Sequence, residues 1–162
     1  MRVSELMHTK VFTVEEDALI ERVFFLMHYE KIRHIPVVNR KSEVIGILSD
    51  RDLYKTLGPK DNSNVIEANG DKAAMHVVPH KVRHIMHRAV ITIGPNEHVS
   101  DAAAIMAKHR IGALPVVKDN KLIGIITATD LLRFFSKFRH YEGKMADEGE
   151  AGMDAAVEAA GA

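Results

Sequence analysis

Two seven-residue stretches of the chain share a pattern that could bind a nucleotide or cap a helix. Gly46–Asp52 and Gly124–Asp130 each read as glycine, two aliphatic residues, a hydroxyl residue, two variable residues and aspartate. A helix N-terminus offers free N–H groups and the positive end of the helix dipole, so it favours phosphate. The hydroxyl residue could donate to a phosphate or sugar oxygen, and the aspartate could accept from the paired hydroxyls of a ribose.

The same pattern predicts a helix cap, because Ser/Thr-x-x-Asp before an apolar run is a capping arrangement. The residues concerned are Ser49 and Asp52 in the first stretch and Thr127 and Asp130 in the second. Capping and ligand binding are compatible, and the pattern alone favours capping because every helix needs a cap. The leading glycine indicates either the close approach of a ligand or tight packing on a strand.

A second pair of stretches, residues 32–38 and 111–117, each contains a proline followed by two valines. Proline removes one donor from a strand ladder and therefore marks a strand start or a sheet edge. The backbone beside it is expected to be free to bond an outside group, such as a purine edge. An ordinary strand entry is the simpler interpretation of this pattern taken alone.

All four stretches belong to one internal repeat. Residues 3–39 align with residues 82–118, and residues 43–55 align with residues 121–133 after a one-residue gap near Ser42. Fifteen aligned positions carry the same residue, where chance at ordinary residue usage would supply about three. The repeat is therefore genuine, and it sets the organisation of the chain.

Each copy predicts the element order β-α-β-β-α. Ile20, Val23, Phe24 and Met27 form one apolar helix face, and residues 99, 102, 103 and 106 repeat that spacing. Predicted strands cover residues 11–14, 35–38 and 44–48 in the first copy and residues 90–93, 114–117 and 122–126 in the second. The last helices begin after Ser49 and Thr127.

The predicted fold class is mixed α/β (α+β), with the two repeats packed as a pseudo-twofold pair. A unit of about 53 residues is marginal alone, so the copies are expected to share a core. The predicted boundaries are a first repeat over 1–57, a linker over 58–80, a second repeat over 81–140 and a disordered acidic, Ala- and Gly-rich tail over 141–162.

The ordered combination of methionine, Pro-Val-Val and Gly-x-x-Ser/Thr-x-x-Asp, present twice, resembles the CBS domain. Met7 and Met86 supply the methionine. The tandem arrangement resembles a Bateman module over about residues 1–137, and residues 33–38 with 49–53 also resemble bacterial acetoin-utilisation-type CBS proteins. The resemblance implies two clefts between the copies that bind AMP, ADP, ATP or S-adenosylmethionine, and sometimes NAD or cyclic dinucleotides.

The resemblance also implies which residues line each cleft. The hydroxyl residue and aspartate would hold phosphate or ribose, the backbone before Pro-Val-Val would face the base, and the starts of the first strands would form a wall. The first cleft takes Lys10, Val11, His34, Ile35, Pro36, Ser49, Arg51 and Asp52. The second takes Ala89, Val90, Ala113, Leu114, Pro115, Thr127, Thr129 and Asp130. Because Arg51, a candidate phosphate contact, is replaced by Thr129, the first cleft is expected to prefer more phosphate charge.

Composition narrows the function further. The chain has no cysteine and a formal net charge of zero, which disfavours thiol chemistry, nucleic acid and membrane surfaces as targets. No apolar stretch reaches the roughly 18 residues of a membrane span, and no apolar signal-peptide core is present, so a cytoplasmic location is expected. No P-loop, dinucleotide fingerprint or nucleophile elbow occurs, so the chain is not expected to be an enzyme.

The predicted function is therefore a regulatory module that senses an adenosine-containing ligand and signals to an unknown effector protein. A homodimer is expected on the resemblance alone. Two alternatives stay open, namely a structural dimerisation module without a ligand and a histidine-based metal sensor. The metal alternative depends on His76, His80, His84 and His87, whose spacing suits one helix side, although Pro79 interrupts that helix.

Overall fold

The computed structural model describes residues 1–57 and 80–137. The first half contains α1 (Val3–Leu6), α2 (Ile20–Glu30), β1 (His34–Val38), β2 (Val44–Ser49) and α3 (Asp50–Leu57). The second contains a 3-10 turn (Val82–His84), α4 (Val99–His109), β3 (Ala113–Lys118), β4 (Lys121–Thr127) and α5, helical over 128–137. The predicted tail and all but the last residue of the predicted linker lie outside the described residues. No helix within the described ranges is long and apolar enough to cross a membrane.

The two long helices bury the faces that their sequence periodicity predicts. Ile20, Val23 and Met27 of α2 are buried, with Phe24 partly buried beside them. In α4 the buried side chains are those of residues 99, 102 and 106. Spacings of three and four residues place these side chains on one side of a helix. Each helix thus covers the hairpin of its own copy.

Two antiparallel hairpins, β1 with β2 and β3 with β4, form the sheets of the two copies. The second hairpin closes through Asp119 and Asn120, both with positive φ, as a two-residue turn requires. The first has a longer connection in which Ser42 takes the positive φ. This extra length explains the one-residue gap in the repeat.

In each predicted first strand, residues 11–14 and 90–93, a single residue pairs with the neighbouring hairpin. Val14 pairs with Val37, and Ile93 pairs with Val116, both in parallel. Extending either ladder toward its N-terminus would need an N–H group from Pro36 or Pro115, and proline has none. The prolines that mark the strand entries thus also end the pairing, and the strand prediction is wrong in extent.

The leading segments of the two copies are exchanged. Val3, Leu6 and Met7 pack into the core of the second copy, around Leu114 and Ile126. Reciprocally, residues 82, 85 and 86 pack into the core of the first copy. Each copy completes the other's core, so the two repeats form one pseudo-twofold unit, as the fold-class prediction states.

The exchange is fixed by two backbone crossings and two glycines. His8 and Ile125 exchange both backbone hydrogen bonds at 2.9 Å, and His87 and Ile47 exchange theirs at 3.0 Å. Beside the second crossing, a Cβ on Gly46 would lie 2.6 Å from the Met86 sulfur. Gly124 stands in the same relation to Met7. These glycines make room for a methionine of the other copy's leading segment. Of the two interpretations of the leading glycine, tight packing is the one that the structure supports.

Replacing Gly46 with alanine should therefore lower the free energy of unfolding by roughly 1–3 kcal/mol, because the core would be overpacked at Met86. Urea denaturation measures the change. Gly94→Ala is the control, since its added Cβ would meet the side chain of exposed Glu97. In a Met86→Ala background the cost of Gly46→Ala should shrink. An equal cost in both backgrounds would contradict the proposed contact.

Candidate functional site

The N-termini of α3 and α5 are closed by matching capping boxes. Oδ2 of Asp52 accepts hydrogen bonds from the Ser49 N–H at 2.8 Å and from the Ser49 hydroxyl at 2.6 Å. Oδ2 of Asp130 accepts from the Thr127 N–H at 2.9 Å and from the Thr127 hydroxyl at 2.6 Å. The capping prediction is thus confirmed at both positions.

The second oxygen of each aspartate binds a histidine from the exchanged segment. Oδ1 of Asp130 lies 2.9 Å from Nε2 of His8, and Oδ1 of Asp52 lies 2.9 Å from Nε2 of His87. The aspartate side chains are only 7% and 11% exposed, whereas the two histidines are 57% and 66% exposed. Each pair therefore joins the edge of one copy to the leading segment of the other.

Sequence reasoning missed both histidines as site residues. The only signal was their identity in the repeat, where the dipeptide Met-His occurs in each copy at the same offset. No local pattern connects His8 to an aspartate 122 residues away. Their role becomes visible only once the exchange of leading segments is known.

The first aspartate is held in its charged form. Burial raises the pKa of Asp52, but hydrogen bonds from the Ser49 hydroxyl, the Ser49 N–H and His87 outweigh that effect and lower the pKa below its usual range. The neighbouring Asp50 forms an ion pair with Arg33 at 2.7 Å. Arg33 is thus engaged in an ion pair, and Arg51 is an exposed cation on the same helix turn as Asp50.

The two copies differ at the starts of β1 and β3. His34 is half-buried, and its imidazole lies against Gly112 of the second copy, where a Cβ would come within 3.1 Å of Cε1. Burial lowers the pKa of His34, opposed mainly by the charge of Asp50. The equivalent residue, Ala113, is buried and has no titratable group. The contact between the copies here is therefore asymmetric.

The residues predicted to face a base divide into buried and exposed sets. The side chains of Ile35, Pro36, Leu114 and Pro115 are buried, so only their backbone could meet a ligand. The Pro36 carbonyl accepts from the Val14 N–H, and the Pro115 carbonyl accepts from the Ile93 N–H. The expectation that the backbone beside these prolines is free is thus wrong for the two proline carbonyls.

The predicted wall residues are more accessible. Lys10 is exposed with its ammonium 5.7 Å from the ring centre of Phe12, and Ala89 is exposed. Val11 and Val90 are half-buried, and Thr129 is exposed like Arg51. The structure brings the serine or threonine, the aspartate and the unpredicted histidine together at each edge.

Of the four histidines of the metal alternative, His76 lies outside the described residues. The rings of His80 and His84 lie 6.3 Å apart, edge to face. His87 points elsewhere and binds Asp52. Among residues 1–57 and 80–137, no three histidine or acidic side chains converge as metal ligands would.

Comparison with known proteins gives one consistent family. The model of the CBS domain matches residues 3–58 and again residues 82–137. The crystal structure of the CBS domain pair of protein MJ0100, in complex with 5′-methylthioadenosine and S-adenosyl-L-methionine, is 25% identical with a TM-score of 0.69. That similarity covers 85% of this chain and 97% of the other.

Two further relatives extend the comparison. A Vibrio cholerae protein, provisionally assigned as an acetoin utilization protein (AcuB), is 25% identical, with a TM-score of 0.68 over 89% of this chain and 96% of its own. A homoserine O-acetyltransferase from Methanococcoides burtonii is 35% identical over 132 residues, which are 81% of this chain and 23% of that protein. The chain spans less than half the length of the first curated relatives it matches.

The lowered pKa of His34 predicts a dependence of stability on pH. Between the folded-state pKa and the ordinary value of 6.5, the unfolded chain binds a proton at this residue that the folded chain does not. Stability should therefore rise with pH through this window and fall as the solution becomes more acidic. Urea denaturation at several pH values from 5 to 8 measures the slope.

His34→Gln should flatten that slope, because glutamine does not titrate. His109→Gln, at an exposed position on α4, is the matched control and should keep the wild-type slope. If His34→Gln and the wild type lose stability in parallel on acidification, His34 is not held neutral at the contact between the copies.

Proposed function

The chain belongs to the CBS-domain family, and we propose that it is a regulatory module that binds an adenosine-containing ligand between its two repeats. The observation that carries this proposal is the pair of aspartates, Asp52 and Asp130, each at a helix N-terminus that faces the other copy. Each has one oxygen in the cap and one directed toward the opposite leading segment. The related MJ0100 domain pair was crystallised with two adenosine derivatives, which supports the proposal.

In the proposed complex, the ribose hydroxyls bind Oδ1 of the aspartate, which is the oxygen that the cap does not use. The base lies by the backbone of His34 or Ala113, walled by residues 10–11 or 89–90. A phosphate, where present, lies at the helix N-terminus near Ser49 or Thr127. Because Arg51 stands only beside the first cleft, that cleft is proposed to prefer phosphorylated ligands such as AMP, ADP or ATP. The second suits uncharged or sulfonium adenosines.

The proposed mechanism is a population shift. A ligand that contacts both copies favours one relative arrangement of them, by no more than its difference in affinity for the alternatives. The chain itself is proposed to be non-catalytic and cytoplasmic and to act on a separate effector protein. Tyr54 on α3 and Leu132 on α5 occupy equivalent repeat positions and are both 69% exposed. They support a homodimer or effector contact on these helices.

One observation favours a second candidate, a structural module that binds no ligand. Both oxygens of each aspartate already have partners within the chain. In a module without a ligand, each aspartate–histidine pair would only stabilise the contact between the two copies. Ligand binding by the purified protein separates the two candidates.

Asparagine at both aspartate positions should abolish ligand binding while the caps are kept, because asparagine retains one acceptor oxygen and loses the other. Thermal unfolding is measured with S-adenosylmethionine, 5′-methylthioadenosine, AMP, ADP and ATP. A ligand at about a hundred times its dissociation constant adds about 2.7 kcal/mol. That is a shift of a few degrees in the melting temperature of a domain pair of this size.

Asp52→Asn alone and Asp130→Asn alone identify the occupied cleft. Asp101→Asn is the control, since Asp101 occupies the same capping position on α4 and accepts from the His98 N–H at 3.2 Å. A wild-type protein that melts cooperatively with no shift for any of these ligands would favour the structural module. An undiminished shift in the double variant would place the ligand elsewhere.

A further inference from the structure

The two histidines that contact the aspartates have a consequence for ligand binding, and the inference rests on the proposed function. We propose that His8 and His87 are positioning residues of the adenosine sites. Each occupies the aspartate oxygen that the ribose must take, so ligand binding displaces the imidazole. His87 serves the first cleft and His8 the second.

The hydrogen bonds of the carboxylates support displacement over simple addition. A carboxylate has about four acceptor positions on its two oxygens. In each aspartate, Oδ2 already accepts two bonds from the cap, and Oδ1 accepts one from the histidine. One position is left, whereas a ribose presents two neighbouring hydroxyls as donors. Both hydroxyls can be accepted only if the imidazole leaves.

Exposure makes that departure possible without unpacking the core. The imidazoles of His8 and His87 lie on the solvent side, more than half exposed, over carboxylates that are nearly buried. The preceding methionine is packed against a glycine, and the backbone crossing holds the residue between its own hydrogen bonds. The ring can therefore turn into water while the leading segment stays in place.

The charges around the two histidine–aspartate pairs differ. Arg51, His34 and the Arg33–Asp50 ion pair surround the first site, and Arg88, next to His87, is bound to Glu16. In the second site the equivalents of Arg33, His34, Asp50 and Arg51 are all uncharged, and Lys10 is the charged residue nearest His8 in sequence. The effect of replacing His8 is therefore less influenced by neighbouring charges than the effect of replacing His87.

The test uses 5′-methylthioadenosine, which has no phosphate, carboxylate or aliphatic amine that titrates near neutral pH. Isothermal titration calorimetry gives the affinity of the wild type and of each variant. We expect the wild type to bind more weakly than the double alanine variant, because only in the wild type must the ligand break the histidine–aspartate contacts. The variants are His8→Gln, His87→Gln, the double glutamine variant and the double alanine variant, with His109→Gln as an exposed control.

The double alanine variant should bind several-fold more tightly than the wild type. A purely structural role for the histidines would instead weaken binding in that variant. Equal or weaker binding by the folded double alanine variant would overturn the inference while the proposed function stands. No binding by folded wild type would overturn both.

Discussion

The two backbone crossings, His8 over Ile125 and His87 over Ile47, are the contacts on which the rest of this structure depends. Each is a pair of hydrogen bonds between segments that are distant in sequence. Together they commit the start of each repeat to the core of the other. Neither repeat can then bury its core alone. Because a unit of this size is marginally stable in isolation, the two repeats fold together.

The same crossings build the candidate sites. A methionine fills the space above a glycine, and the next residue, a histidine, is thereby brought to the aspartate that caps a helix. One short segment thus contributes both to the packing of the core and to the candidate binding edge. A ligand that displaces the histidine from the aspartate acts directly on the contact between the copies. This gives a physical route from binding to a change in their arrangement.

The sequence predicted what depends on local periodicity and turn chemistry. The helix faces at Ile20 and Val99, the two hairpins and the caps at Ser49 and Thr127 all follow from patterns of a few residues. The first strands were overestimated, because β propensity at residues 11–14 does not reveal that Pro36 cannot supply the next hydrogen bond. The exchange of leading segments and the aspartate–histidine pairs could not be predicted, because they join residues separated by 35 and 122 positions. Gly46 was ambiguous for the same reason, since its neighbour Met86 lies in the other copy.

If these aspartates are the ribose-binding groups of a ligand-sensing pair, a crystal structure of the chain with 5′-methylthioadenosine or S-adenosylmethionine will show it. We expect the ribose hydroxyls within hydrogen-bond distance of Oδ1 of Asp52 or Asp130, with His87 or His8 turned away from that oxygen. A ligand bound elsewhere, or a ribose that contacts neither aspartate while both histidine pairs stay intact, would contradict it.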